Sequence, residues 1–221
     1  MNEKEKQLLE IVIDEYVKKW LPIGSKFIDS DKNTNMAPST IRKYLNSLEK
    51  KWYLYQPYNS AWRLPTTAGI NFYLSNLLST KPIPKDYVIR IKKDFELRDF
   101  IEKLWDKVDW VAFWYYLNDK DIYYLWLSKL LKKVNNDINK IINLVEFIEQ
   151  RQIIWYLKDK EPEEGKINYS FINYQWVTIV LMYIKVKFEN SDAIIWTVSS
   201  LRVDYKSNVE ILQNILEKWT I

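Results

Sequence analysis

The chain is 221 residues long, 48% apolar and 28% charged, with a formal net charge of +4, a size and composition that suit one large or two small globular domains with real cores. It contains neither cysteine nor histidine, which excludes disulfides, thiolate nucleophiles, zinc-thiolate sites and imidazole bases, so an enzyme is disfavoured and neither metal nor cofactor is expected. No stretch is long and apolar enough to span a membrane, and the start Met1-Asn2-Glu3-Lys4-Glu5 is charged rather than signal-like, which predicts a cytoplasmic protein with no membrane association.

The first element is a helix: Leu9, Val12, Ile13, Tyr16 and Val17 recur at the spacing of one helical face, and Pro22 ends the run. Gly24-Ser25 supplies a turn and a serine N-cap for a short helix through about Ser30, and residues 31–38 read as a polar turn. Ser39 or Thr40 is expected to cap a third helix whose core face is Ile41, Leu45 and Leu48, leaving Thr40, Arg42, Lys43 and Asn46 outside. Residues 54–56 and Arg63-Leu64 fit the two short strands of a wing, and Thr66 or Thr67 starts a helix that closes near Leu78. Two prolines and no apolar periodicity mark residues 79–85 as linker, so the expected division is a first domain at 1–78, a linker at 79–92 and a second domain at 93–221.

In the second half a helix is expected around residues 95–105 and strands at 110–117 and 122–125. A long helical region at 127–157 follows, with Ile141, Leu144, Val145, Ile148 and Ile154 as its apolar stripe. After a charged turn with Pro162 and Gly165 come strands near 167–174, 176–188 and 193–199 and a helix at 206–218. The fold class is α+β. Arg202, Asp204 and Tyr205 are read as fixing the last strand-to-helix junction, with Asp204 or Ser207 as a cap, rather than as a ligand site.

Three separated pieces carry the functional signal: Pro22-Ile23-Gly24-Ser25-Lys26, Ser39-Thr40-Ile41-Arg42, and the stretch from Gln56 to Thr66. They read as a helix start, a second helix start with basic residues, and an extended loop ending in an arginine, the layout of a winged helix-turn-helix. From Ser39 to Arg63 the basic residues Arg42, Lys43, Lys50, Lys51 and Arg63 face a single acid, Glu49. Recognition helices place their first turns in the major groove, where arginine or lysine donates to guanine and asparagine pairs with adenine. Ser39, Thr40, Arg42, Lys43 and Asn46 are therefore candidate base contacts. Ser25 and Lys26, at a helix start that favours a phosphate oxygen, are candidate backbone positioners. Arg63 is expected to enter the adjacent minor groove or grip phosphate, with Tyr58, Asn59 and Ser60 at the wing tip.

These stretches resemble the amino-terminal domain of the HrcA heat-inducible transcription repressors of bacteria. Two patches further on are also similar: Tyr124-Leu125-Trp126-Leu127-Ser128-Lys129-Leu130-Leu131, and Trp196 to Tyr205, where Arg202, Asp204 and Tyr205 match while Ser199-Ser200 replace glycine-proline. The resemblance implies a winged-helix domain followed by a GAF-like domain interrupted by an inserted dimerising domain. Here Val111-Ala112-Phe113 is followed by Tyr123-Tyr124-Leu125 after only a short connection, so the GAF-like domain is truncated and much of the insert is missing. It further implies a homodimeric repressor of chaperone operons that binds double-stranded DNA at the inverted-repeat operator called CIRCE, needs no cofactor, and is kept active by the GroE chaperonin. An alternative is a winged-helix regulator whose GAF-like domain senses a small molecule and controls other genes. A third reading is an interaction adaptor whose winged helix no longer binds DNA.

Glycine is scarce: three residues stand against eleven tryptophans, where glycine usually makes up about 7%. Trp20, Trp52, Trp62, Trp126 and Trp196 fall where the family pattern has glycine. Glycine serves positive φ or close backbone approach, for which tryptophan is a poor substitute. The coincidence predicts that the gene reads UGA as glycine at these positions, and that replacing all five tryptophans by glycine raises stability and operator affinity; the alternative is that the tryptophans are a real aromatic-rich core.

Overall fold

Helix α1 (Glu3–Lys19) starts well ahead of the first periodic apolar residue because a reciprocal cap closes its first turn. The Glu5 N–H donates to Asn2 Oδ1 at 2.8 Å and the Asn2 N–H to Glu5 Oε2 at 3.0 Å, which satisfies two donors that a helix start leaves orphaned. The computed structural model describes residues 1–19, 21–25, 27–28, 34, 36–58, 62–78, 111–116, 122–125, 138–149, 156, 162–175, 177–188, 191–201 and 203–219. They fall into two compact units, Met1–Lys81 and Pro82–Ile221. The expected linker at 79–92, the helix at 95–105, most of 127–157, and Trp20, Lys26, Asn59, Ser60, Trp126 and Arg202 lie outside the described residues.

In the first unit α1 buries Leu8, Leu9, Val12, Ile13 and Tyr16, and α2 (Pro38–Lys50) buries Ile41, Leu45 and Leu48. These are the faces that the periodicity marks, and the two helices pack on each other. The start of α2 differs from expectation. Its N-cap is Ala37, with no side-chain cap, and Pro38 opens the helix, so Ser39 and Thr40 lie inside its first turn. Proline at the first helical position has φ preset and lacks only an N–H that would be orphaned anyway, so it sets the boundary ahead of the hydroxyls. The preceding helical turn likewise begins at Ser25, with the Gly24 carbonyl accepting from Phe27 and Ile28. Glycine, not Ser25, occupies the cap position there.

Helix α2 ends in a Schellman turn. The Tyr53 N–H donates to Leu48 O and the Trp52 N–H to Glu49 O, with Trp52 at φ 61°. Strand β1 (Leu54–Tyr55) follows and pairs antiparallel with β2 (Leu64–Pro65), Leu54 opposite Pro65 and Tyr55 opposite Leu64. An isolated bridge adds Ile23 beside Arg63, with N–H to O distances of 2.9 and 3.0 Å. Helix α3 (Thr67–Phe72) is capped by Thr66, which accepts from the Gly69 N–H at 3.0 Å, and it continues in a π-helical stretch, Tyr73–Leu78. Gly69 allows this helix to sit against the end of α2: a Cβ there would lie 2.2 Å from the Tyr53 carbonyl oxygen.

The second unit is built on a five-stranded antiparallel sheet in the order β4-β3-β7-β6-β5, comprising β3 (Val111–Tyr116), β4 (Ile122–Leu125), β5 (Asn168–Tyr174), β6 (Val177–Phe188) and β7 (Ser191–Ser200). On one face Val177, Ile179, Leu181 and Tyr183 of β6 and Ile194, Trp196 and Val198 of β7 form a core with Phe147 of α4 (Ile138–Glu149). The alternate residues Val180, Met182, Ile184, Ile195 and Thr197 are buried too, which explains why β6 reads as a near-continuous apolar run. Helix α5 (Tyr205–Trp219) packs on β6. Phe147, absent from the expected stripe, is the fully buried anchor of α4, whereas Val145 and Ile148 are half-buried. At the β7–α5 junction Asp204 caps the helix, accepting from the Ser207 N–H and hydroxyl, and the Tyr205 hydroxyl donates to Leu201 O at 2.6 Å.

Trp196 departs from the glycine reading. It is 1% exposed and paired across the sheet with Tyr183 and Phe113, in extended backbone that needs no glycine. Trp52, at positive φ and 76% exposed, has the environment of a glycine C-cap. Trp62 is exposed and lies over Gly24, whose Cβ would come within 2.8 Å of its indole nitrogen.

Candidate nucleic-acid interface

The helix period that buries Ile41, Leu45 and Leu48 turns Ser39, Arg42, Lys43, Asn46 and Lys50 outward, and all five are exposed, with Thr40 half-buried at the edge. The first turn of α2 contains no acid and has no side-chain cap, so its free N–H groups and the positive end of the helix dipole meet solvent beside this basic face. Arg42 extends along the helix, its Nε donating to Pro38 O at 3.4 Å. Ser25 is half-buried in the adjacent turn. Tyr58 projects from the ribbon with 73% of its surface exposed. Lys26, Asn59 and Ser60 lie outside the described residues.

Arg63 does not project from the ribbon as expected. Its side chain is 11% exposed, with Nε donating to Glu49 Oε2 at 3.3 Å and a terminal nitrogen donating to Asn46 Oδ1. The ribbon is therefore tied to the outer face of α2 through two α2 side chains. Glu49, the single acid of this region, is half of that tie.

A second tie holds α2 from behind. Glu5 is 3% exposed; Lys51 Nζ donates to both of its carboxylate oxygens at 2.7 and 2.8 Å, and the Ser47 hydroxyl donates at 2.6 Å. Burial pushes the Glu5 carboxyl up, but the hydrogen bonds from Lys51 and Ser47 and from the Asn2 N–H outweigh it and hold its pKa at about 2. Of the five basic residues in this stretch, Lys51 and Arg63 are thus engaged by acids of the same unit, while Arg42, Lys43 and Lys50 stand on the exposed face. The Asn2-x-x-Glu5 spacing of a capping box was the one local signal for Glu5; nothing local marked its bond to Lys51.

Among the described residues, no helix is long and apolar enough to cross a membrane, and no cluster of acidic residues has the composition to hold a metal ion.

These elements define a protein of mixed α and β structure: a helical unit with a two-stranded antiparallel ribbon, followed by a unit on a five-stranded antiparallel sheet. No protein-family model matches the chain. Among curated proteins, the heat-inducible transcription repressor HrcA of Chlorobium phaeobacteroides (strain BS1) is 33% identical over 103 residues, 47% of this chain and 29% of that protein. The HrcA of Nitrosomonas europaea is 33% identical over 88 residues, 40% of this chain and 26% of its own. For Syntrophobacter fumaroxidans the figures are 32% over 106 residues, 47% and 30%. The chain is HrcA-like over that part of its length, and the match spans less than a third of the length of those repressors. A crystal structure described as that of a hypothetical protein shares the fold, with a TM-score of 0.78 over 99% of this chain and 97% of that one, at 17% identity.

Proposed function

We propose that this chain is a DNA-binding transcriptional repressor of heat-shock (chaperone) operons, acting in the cytoplasm as a homodimer on a CIRCE-type inverted repeat. The carrying observation is the outer face of α2, where Ser39, Arg42, Lys43 and Asn46 are exposed together around a helix start with no acid and no cap; the likeness to repressors named heat-inducible supports the regulatory role. In this reading the unit Met1–Lys81 is a winged helix-turn-helix. Helix α2 enters the major groove with Ser39, Thr40, Arg42, Lys43 and Asn46 toward the bases, and Tyr58, Asn59 and Ser60 sit at the wing tip. Ser25 and Lys26 grip phosphate and carry affinity rather than sequence information. The unit Pro82–Ile221 is a truncated GAF-like effector and dimerisation domain, and its contact with GroE would keep the repressor folded. A two-fold dimer matches a two-fold operator, one α2 per half-site.

Binding titrations at several salt concentrations test the assignment, using a duplex with the inverted repeat and a scrambled duplex. Arg42→Ala should weaken operator binding and relax discrimination, because a base contact carries about 1–3 kcal/mol of it. Lys26→Ala should weaken both duplexes alike and lower the salt slope by about one unit. Identical behaviour of the two variants would show that the division of roles is wrong. Failure of the unmodified protein to bind either duplex at low salt would remove DNA binding altogether.

A further inference from the structure

We propose that Arg63 is a positioning residue for sequence readout: held by Glu49, it locks the Asn46 amide so that Asn46 meets the groove as a hydrogen-bond donor. The inference rests on the DNA-binding reading of α2 and deepens it. The geometry is a relay of three side chains on the exposed side of α2. Glu49 Oε2 accepts from Arg63 Nε at 3.3 Å, and the Arg63 guanidinium donates to Asn46 Oδ1. The Arg63 backbone is itself fixed by its paired bonds to Ile23. A guanidinium has only donors, so the atom that it meets on Asn46 must be the carbonyl oxygen. That settles which way the amide points, a choice that a free asparagine leaves open.

The consequence for specificity follows from the base edges. An unrestrained asparagine pairs with adenine through both amide atoms, accepting from N6 and donating to N7. With Oδ1 already engaged by Arg63, Asn46 presents its Nδ2 donors, which suit an acceptor such as a purine N7, guanine O6 or thymine O4. The relay also removes Arg63 from the phosphate inventory, because its side chain is 11% exposed and its charge is matched by Glu49. Arg63 therefore acts through Asn46 and does not add a counterion-releasing contact.

The experiment compares the unmodified protein, Arg63→Ala, Asn46→Ala and the double variant. The probes are duplexes carrying the inverted repeat with each base pair of one half-site substituted in turn, plus a scrambled duplex, at four salt concentrations. Arg63→Ala should lose about five- to tenfold in preference at the same base pair as Asn46→Ala, with the double variant no worse than either single one. The salt slope of Arg63→Ala should stay that of the unmodified protein. Arg63→Lys, which keeps the charge but not the planar fork, should fail to restore the lost preference. A salt slope lowered by about one unit with the base preferences intact would make Arg63 an ordinary phosphate contact and overturn the proposal. So would loss at a base pair different from that of Asn46→Ala, or no effect at all. Should Arg63→Ala fail to fold, Glu49→Gln leaves the ribbon pairing in place and must relax preference at the Asn46 base pair. Absence of binding by the unmodified protein to every duplex is a distinct outcome, which removes the DNA-binding reading itself.

Discussion

Trp52 and Trp196 show how two residues of one type meet opposite demands. Trp52 holds the left-handed place of a Schellman turn, at φ 61°, with its indole 76% exposed. The left-handed region costs an L-residue about 1–2 kcal/mol relative to glycine, and an exposed indole returns little of that by burial. Trp52→Gly is therefore expected to stabilise the protein by about 1 kcal/mol, read as a higher urea midpoint; a lower midpoint would show that the ring is needed. Trp196 is sealed in the sheet core, and Trp196→Gly should cost about 3–5 kcal/mol in the same assay, the usual range for emptying a large aromatic site. For Trp52 and Trp196 taken together, the expected gain from glycine is thus reversed. The glycine reading fits the backbone at Trp52 and fails at Trp196, because only the former sits where the chain needs a conformation that a side chain opposes.

Helix α2 is held at its C-terminal end by two neighbours. There Glu5 receives Lys51 and Ser47. Its carboxyl is held at about 2 against an ordinary 4.5, so the folded state favours the ionised form. The tie contributes stability fully above pH about 4.5 and loses it as pH falls toward about 2. Urea midpoints of the unmodified protein and Glu5→Gln should differ at pH 6, draw closer below pH about 4.5 and converge only as pH falls to about 2; a gap unchanged across that range would show that Glu5 acts by packing alone. Beside the same end Gly69 lets α3 approach, and a Cβ at 2.2 Å from the Tyr53 carbonyl cannot be relieved by a rotamer change, since the clash is with backbone. Gly69→Ala should destabilise by about 1–3 kcal/mol and, on the DNA-binding reading proposed above, weaken binding to operator and scrambled duplex, because α3 and the turn after α2 must part. Unchanged melting and binding would mean that the contact yields cheaply.

The candidate interface lies in the unit Met1–Lys81 and the larger sheet core in Pro82–Ile221. Asn208 is a weak point in the second core: it is 1% exposed, and neither amide atom finds a hydrogen-bond partner among the described residues. Asn208→Leu, similar in volume and free of that desolvation cost, should stabilise by about 1–3 kcal/mol. If the chain is the heat-inducible repressor proposed above, Asn208→Leu should also raise the temperature at which a reporter behind the inverted repeat is released and leave operator affinity at 25 °C unchanged; a reporter response identical to the unmodified protein would detach the stability of this unit from that proposed role. Residue order by itself determined the periodic buried faces of α1 and α2, the five strands and the last helix, a helix start at Thr66 or Thr67, of which the structure picks Thr66 as the cap, and the outward face with Arg42, Lys43 and Asn46. Each of these rests on helix or strand period or on turn chemistry, which act between residues a few places apart. It misplaced the start of α2, where Pro38 competes locally with Ser39 and Thr40. Only the tertiary structure decided that Glu5 meets Lys51 from 46 positions away, that Gly69 lies on Tyr53, that Trp196 fills a core, and that Arg63 turns back onto Asn46 and Glu49. Those contacts depend on which elements the closed chain brings side by side, and a charge or a glycine carries no record in its own neighbourhood of the partner that packing will supply.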